Sequence, residues 1–575
     1  MQQFRRVPSG KNGYFILKGK HTENLLHHPN FIKVVLPLFC LINLLILGGA
    51  ALHVYVFADE LNLICNPFRF LTKATILPYY TNSPTFYSYL ITLPISIVAL
   101  IIYFINKYPL SGLSDPLFIE FVLQENYVTL TKTARLLTVM IAITILIIIF
   151  YYCYKNYGRL CALLAATILT LDPLTIYFQH SRFALPDILV AFLITIAMLL
   201  IFNSIEKQNT AHFYWACFFT GLATSTKFNA VFMILPIIVL FILRKNLNMP
   251  AFLKKISLPW ALLIILGGLL IGSPAFLIKP GIYLEGFQEE ADLLFYSGDI
   301  GAHQKKWTWI LENLWERDPA LAVIFIFTIF SLFQKLDYRK KIFLSLLLPS
   351  IAVIGNLEKK SIHYLLFLYP LLSAEASRVL AVMWDRLKNA WAKGCYIVLL
   401  LTIIGFWATK MYQRAQIEFK IDNRILAAEW IYKNIPPHSK IIVDTRGYEP
   451  RLSGWQVLSD TENFKFKSKE LFDICIATLE KKIEYEIFRR KYKKPDWNKI
   501  LEINAPYFIT SNVDYDRYFK AGSANYIKTE AVMKLFLQQK AFYEDLLSGR
   551  SPYHEIITFD SGSGPIQKIY QLTPK

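Results

Sequence analysis

Residues 33–60 read KVVLPLFCLINLLILGGAALHVYVFADE. Apart from Lys33, Asn43 and His53 the run to Phe57 is apolar, and a helix of that length crosses a hydrocarbon core of about 30 Å. Two adjacent carboxylates, Asp59-Glu60, follow at once and so stand at a membrane face. The run is longer than a signal-peptide core and lies behind a polar leader, residues 1–32, which marks it as a retained signal-anchor.

Composition agrees with that reading. The 575 residues are 54% hydrophobic and only 18% charged, too apolar for a soluble enzyme of this length. The net charge of +19 does not mark a nucleic-acid binder, because Lys and Arg fall between apolar runs and in the C-terminal part rather than in an aromatic-interleaved patch. The seven cysteines lie mostly within apolar runs, and no Cys-x-x-Cys or His/Cys cluster suggests zinc or a disulfide framework.

The basic residues fix an expected topology. Arg5, Arg6, Lys11, Lys18 and Lys20 precede the first span and place the N-terminus inside, so Asp59-Glu60 lies outside. Residues 61–83 read as a polar and aromatic loop, and 84–105 as a further apolar run. If 84–105 does not complete a crossing, the basic clusters at 155–159, 244–255, 335–341 and 386–393 all fall inside; if it does, all face outward against the rule. The run is therefore expected to be a membrane-embedded or interfacial helix on the outer side, broken by Pro94. About eleven spans follow, near 33–57, 134–154, 160–178, 187–205, 212–227, 229–243, 258–278, 319–334, 342–357, 362–383 and 394–412. An odd count puts the C-terminus outside. It also puts His180-Ser181-Arg182-Phe183-Ala184-Leu185-Pro186-Asp187 on the side of Asp59-Glu60.

Three units result: a cytoplasmic leader, 1–32; a transmembrane domain, 33–412, with its first outer loop at 58–133; and an extracytoplasmic α/β domain, 413–575. In the last, Asn423 to Asn434, Leu471 to Tyr492 and Lys528 to Leu547 read as helices. Lys440 to Asp444, Tyr507 to Thr510, Glu555 to Phe559 and Ile566 to Leu572 read as strands.

A carboxylate at a membrane surface suits the removal of a proton from a hydroxyl that attacks a lipid-phosphate-linked sugar. Asp59 is the candidate base, with Glu60 orienting it. Asp187 follows Pro186, as at the first turn of a helix, where the macrodipole favours a carboxylate with or without chemistry. Arg182 suits either a carboxylate or a lipid phosphate. Lys227, in Thr224-Ser225-Thr226-Lys227, is expected to reach the outer face, with plain snorkelling as the other reading. Lys359, Lys360 and His363 fall in a short outer loop where positive charge asks for an anion, a headgroup or donor phosphate. Arg135 opens the second span as a phosphate ligand or a headgroup anchor. Tyr79, Tyr80, Trp307, Trp309 and Trp315 read as interfacial belt residues, with sugar stacking open for the loop 279–318. Two or three carboxylates could hold a divalent cation beside the phosphate, but no ligand spacing requires one.

Taken in order, Asp59-Glu60, Asn82-Ser83-Pro84, Thr133-Ala134-Arg135-Leu136-Leu137, the 180–187 stretch and Gly221-Leu222-Ala223-Thr224-Ser225-Thr226-Lys227 resemble the protein O-mannosyltransferase and lipid A aminoarabinose transferase group, family 39-like members of the GT-C glycosyltransferases. The resemblance covers about residues 30–410. It implies the GT-C fold and an inverting transfer from a polyprenyl-phosphate sugar to a protein, lipid or glycan hydroxyl at the outer face of a bacterial inner membrane, with Asp59 as base and Glu60 and Asp187 beside it. His363-Tyr364 stands where many members carry a basic residue followed by tyrosine near the lipid phosphate, and histidine there is a departure. The segment Asn423 to Ile442 resembles the start of the outer domain of bacterial members. The competing class is a carrier or flippase for lipid-linked sugars, which would carry charges at mid-span depth. A non-catalytic assembly protein is the third reading.

Overall fold

A computed structural model describes residues 31–53, 58–73, 75–78, 85–106, 126–171, 176–246, 255–291, 308–334, 336–357, 361–444, 450, 486–490, 497–520 and 530–573. The first apolar run forms α1 (Phe31–Asn43), a π-helical turn (Leu44–Gly48) and α2 (Gly49–His53). Asn43 is buried and donates to Phe39 O at 2.9 Å and Thr170 Oγ1 at 2.8 Å, which offsets the cost of an amide among apolar neighbours.

Next come α3 (Ala58–Thr72) and α4 (Phe86–Ile105). Residues 61–72, expected as loop, are thus helical, and α3 buries Leu63, Ile64 and Phe68. Pro94 does not break α4 as expected: the helix runs through it with Ile91 and Ile95 fully buried, so packing outweighs the one backbone bond that proline removes. By length and hydropathy α4 is also sufficient to cross a membrane.

The bundle continues with α5 (Tyr127–Tyr157), α6 (Arg159–Leu171), α7 (Ile176–Arg182), α8 (Asp187–Glu206), α9 (Thr210–Thr224), a 3-10 turn (Phe228–Met233), α10 (Ile234–Asn246), α11 (Leu258–Gly272), α12 (Ala275–Ile278) and α13 (Pro280–Ala291). It is completed by α14 (Trp309–Arg317), α15 (Pro319–Phe333), α16 (Tyr338–Gly355), a second 3-10 stretch (Ile362–Leu368), α17 (Tyr369–Arg386) and α18 (Ala390–Glu418). Helical structure occupies every one of the expected spans. Side-chain caps start several of these helices: Asn209 accepts from Ala211 N at 2.8 Å, Asp318 from Leu321 N at 2.7 Å, and Asn389 from Ala392 N at 2.6 Å. Trp309 is buried rather than set in an interfacial belt, while Trp315 is exposed; Tyr79, Tyr80 and Trp307 lie outside the described residues.

Burial identifies the axis of the bundle. In its most apolar stretch α8 is 78% buried, against 17% for the first span and for α18, so the chain is organised around α8 with those two at the periphery. Asp187 at its head is therefore central. Beside it, α9 and α11 meet through glycines: a Cβ on Gly221 would overlap Ile265 O, one on Gly268 would overlap Phe218 O, and one on Gly272 would overlap Ser225 Oγ. Backbones brought this close hold the end of α9, from which Lys227 emerges, in one place.

The helix ends sort into two sets. Glu60 meets Arg135 and Ala184 at one end. At the other, Arg339 joins Tyr157 and Glu206, the last residues of α5 and α8. Glu60 and Arg135, on either side of α4 in the chain, thus lie at the same end of the bundle.

Beyond α18, the Phe419 ring rests against Gly49 of α2. The chain then forms α19 (Asn423–Asn434), β1 (Lys440–Asp444), β2 (Glu486–Arg490), α20 (Trp497–Glu502), β3 (Tyr507–Ser511), α21 (Asn512–Phe519), α22 (Glu530–Leu547), β4 (Tyr553–Phe559) and β5 (Gln567–Leu572). The sheet order is β2-β1-β3-β5-β4, with β1 parallel to β2 and β3, and β5 antiparallel to β3 and β4. Ile441, Val443, Ile509 and Ile569 pack toward α19, and Ile442, Phe508 and Tyr570 toward α20, α21 and α22. The helix expected over Leu471 to Tyr492 is corrected at its end: residues 486–490 are an edge strand whose Glu486, Arg489 and Arg490 give it a helical composition, and charged residues are what an edge strand tolerates. The part before 486 lies outside the described residues.

Candidate active site

The first layer is built on Glu60. Its Oε1 accepts from Arg135 Nε at 2.7 Å and from Ala184 N at 2.7 Å, and its Oε2 accepts from Arg135 Nη2 at 2.6 Å. Arg135 Nη1 donates to Ala51 O at 3.0 Å, and neither charged side chain is exposed. Such a forked pair fixes both position and direction. The Phe183 ring centroid lies 5.4 Å from the guanidinium of Arg135 and 4.6 Å from that of Arg182, which is itself buried.

The second layer is built on Asp187. Its Oδ1 accepts from Lys227 Nζ at 2.6 Å, and its Oδ2 lies 3.3 Å from His180 Nδ1. Lys227 Nζ stands 5.6 Å from the Tyr364 ring centroid, and Asn229 Nδ2 holds that residue through its carbonyl at 3.2 Å. His363 bonds Ser361 Oγ through Nδ1 at 2.5 Å, and its ring lies 4.9 Å from that of His180. Tyr87, bonded to Thr138 at 2.8 Å, is within electrostatic reach of Glu60, Arg135 and Asp187, so the two layers adjoin.

A hydroxyl node ties the head of α4 to this end. Thr85 Oγ1 is 3.0 Å from Ser273 Oγ and 2.8 Å from Tyr283 OH, and Phe86 N donates to Ser225 O at 3.0 Å. Ser225 lies two residues before Lys227, so first loop and lysine share one support.

Of the residues singled out in the sequence, Glu60, Arg135, Arg182, Asp187, Lys227 and His363 gather at this end of the bundle. Asp59 lies in the first turn of α3 beside the anchored Glu60, with its side chain outside the described residues, as are Lys359 and Lys360. Arg135 is fully buried, which removes the headgroup-anchor reading for it. His180 and Phe183 complete the site without having been assigned a role in advance, and Tyr364, which the resemblance sets after His363, lies against Lys227. His180 and Phe183 lie within the quoted 180–187 stretch, where an imidazole and a ring next to Arg182 were the available signal. Among the described residues no group of three or more His, Cys, Asp or Glu side chains is placed to hold a metal ion.

The family model described as dolichyl-phosphate-mannose-protein mannosyltransferase matches residues 127–278, the segment that carries Arg135, Asp187 and Lys227. Among solved structures, ArnT from Cupriavidus metallidurans bound to undecaprenyl phosphate is 11% identical with a TM-score of 0.52, over 95% of this chain and 100% of that one. The same protein in its apo state gives 12% and 0.53, over 94% and 99%. An oligosaccharyltransferase from Archaeoglobus fulgidus, in complex with Zn and sulfate, gives 13% and 0.49, over 92% and 72%. No match to a curated protein sequence was found. The chain therefore shares the helical membrane fold of ArnT together with a sheet-containing C-terminal region.

Proposed function

We propose that the chain is an inverting glycosyltransferase that moves a sugar from a polyprenyl-phosphate-linked donor to a hydroxyl of a protein, lipid or glycan. The observation that carries this is the meeting of Glu60, Asp187, Arg135, Arg182, Lys227 and His363 at one end of a bundle that shares the fold of a protein solved with undecaprenyl phosphate. The family match over 127–278 supports the same class.

In this mechanism Asp59 takes the acceptor proton as the hydroxyl oxygen attacks the sugar, and the phosphate leaves from the opposite face. Glu60 and Arg135 are positioning residues that hold the first turn of α3. Asp187 orients Lys227, and Lys227, Arg182, Lys359, Lys360 and His363 supply positive charge for the donor phosphate. A divalent cation beside that phosphate is compatible with the chemistry and is not required by it. The site belongs to the outer face of a bacterial inner membrane, with 33–412 as the catalytic domain and 413–575 on the same side; what supports this is the positive-inside rule applied to the basic clusters of the sequence, together with Arg339 at the opposite end of the bundle.

A carrier for lipid-linked sugars is disfavoured by the placement of these charges at helix ends rather than at mid-span depth. The deciding experiment supplies purified protein with a polyprenyl-phosphate sugar and acceptor preparations, and follows free polyprenyl phosphate. Release by the wild type, abolished in Asp59→Asn with donor binding retained, is the expected result; full turnover by Asp59→Asn refutes the role of Asp59.

A further inference from the structure

Three hydroxyls stand in file between α13 and the turn that carries Lys227. Tyr283 OH lies 2.8 Å from Thr85 Oγ1, Thr85 Oγ1 lies 3.0 Å from Ser273 Oγ, and Ser273 Oγ donates to Ser225 O at 3.4 Å. All four residues are buried. Because a carbonyl only accepts, the file has one direction: Ser273 gives its hydrogen to Ser225 O, Thr85 can give its own to Ser273, and Tyr283 its own to Thr85. A further hydroxyl, Tyr89 OH, adjoins Thr85 and Tyr283 and donates to Ile76 O at 2.6 Å, which brings residues 75–78 of the first outer loop to the same place.

The head of α4 is bound to both ends of the last link, since Phe86 N donates to Ser225 O at 3.0 Å and Thr85 N to Ser273 Oγ at 3.2 Å. On the other side of the lysine, the Phe287 ring of α13 meets that of Phe228 edge to face, with centroids 5.1 Å apart. Ser225 and Phe228 bracket Lys227, and α13 acts on both. Elsewhere in the bundle helices are joined by close backbone approach alone, as at Gly221 and Gly268. Hydrogen-bonded hydroxyls are directional, so they fix angle as well as distance. Lys227 Nζ stands 2.6 Å from Asp187 Oδ1, and a misplacement of about 1 Å at such a contact can cost a hundredfold in function.

Resting on the transferase reading above, we infer that Tyr283 is a positioning residue for the donor phosphate. Through Thr85, Ser273 and the Ser225 carbonyl it sets where Lys227 Nζ stands between Asp187 and that phosphate. The affinity of the site for a phosphate ester thereby depends on the seating of α13, a helix that itself carries none of the charges assigned to the phosphate. The hydroxyls hold the turn in place, and no proton is moved along them.

The test measures the binding of polyprenyl phosphate to the full-length protein in detergent, which reads the phosphate site without turnover. Tyr283→Phe removes one hydroxyl and no bulk, and should raise Kd about threefold to tenfold. Thr85→Val should do the same, whereas Thr85→Ser keeps the hydroxyl and should bind like the wild type. In a Lys227→Gln background, itself weakened by roughly tenfold or more, Tyr283→Phe should weaken binding no further, because the residue it acts through is gone. The pair Tyr283→Phe/Thr85→Val, which needs no change at Lys227, should bind no worse than either alone. Equal weakening by Tyr283→Phe with and without Lys227, losses that multiply in the pair, or wild-type binding by both Tyr283→Phe and Thr85→Val overturns the inference while leaving the transferase reading intact. Wild-type affinity in Lys227→Gln takes that lysine out of the phosphate site and overturns the inference by that route. Absence of polyprenyl-phosphate binding by the wild type overturns the donor-site reading and this inference with it.

Discussion

Arg135 grips Glu60 through two N–H···O bonds of 2.7 and 2.6 Å, across 75 residues of chain and with neither side chain exposed. Because Arg135 also holds Ala51 O, and Glu60 also holds Ala184 N, this pair pins α2, α3, α5 and the loop before α8 at a single point. The candidate base, Asp59, is the neighbour of that point.

Loss of one partner from a buried ion pair leaves a bare charge in an apolar setting. Arg135→Ala should therefore cost about 3–5 kcal/mol and lower the melting temperature in detergent sharply. Glu60→Ala/Arg135→Ala together should recover part of that loss, since no orphaned charge remains. Unchanged melting of Arg135→Ala would contradict the buried pairing.

Gly268 and Gly267 are adjacent yet differ in surroundings: a side chain at 268 meets Phe218 O, whereas one at 267 meets nothing within 4 Å. Gly268→Leu is expected to push α11 from α9, shift the turn that bears Lys227, and cut turnover at least tenfold with the protein still membrane-inserted. Gly267→Leu should be nearly silent. Equal effects of the two would show that the close approach is not what sets the turn.

Single cysteines in a background without native ones test the sidedness. A cysteine at Gly549, in the C-terminal domain, should react with an impermeant reagent from outside. One at Gln208 or Asn389, beside the ends of α8 and α17, should react only after the membrane is opened. Labelling of 208 from outside would invert the assignment of the site.

In the C-terminal domain, partial burial works against ionisation of Glu555, but hydrogen bonds from Lys568 Nζ and Thr558 Oγ1, both at 2.6 Å, prevail and hold its carboxyl below the usual 4.5. A carboxylate lowered in the folded state adds stability above its unfolded value, and that increment is lost as pH falls through the folded value. Lys568→Met should therefore flatten the acid side of the domain's stability curve below about pH 4.5 and leave the neutral side nearly parallel to wild type. An unchanged acid limb in Lys568→Met would exclude this pair as its source.

Much of this arrangement is legible in the sequence. Apolar runs state where helices cross, the sorting of Lys and Arg brings residue 60 and residue 187 to one side, and strands such as Lys440 to Asp444 show in β-branched content alone. Other features are not legible, for physical reasons. The partner of Arg135 is fixed only once α3 and α5 pack, so a guanidinium bound to a carboxylate and one bound to a headgroup look identical in a string of letters. The helix after Asp59 is hidden because Pro67 and the polar residues around it imitate a loop, and only the burial of Leu63, Ile64 and Phe68 stabilises it. Strand β2 is hidden because its Arg and Glu satisfy helix propensity while its pairing with β1 depends on a distant stretch.

The contact of Phe419 with Gly49 has a consequence for synthesis. Gly49 enters the membrane early, but the ring that covers it is made 370 residues later (419 minus 49), which at about 5–20 residues per second is a wait of roughly 20 to 70 seconds. Throughout that interval the corner that adjoins Ala51 and Glu60 lacks its final neighbour and faces lipid or an insertion factor instead. The corner that carries Glu60 is thus among the last parts of the protein to close, and a ribosome stalled before Phe419 leaves a nearly complete bundle with that end still open.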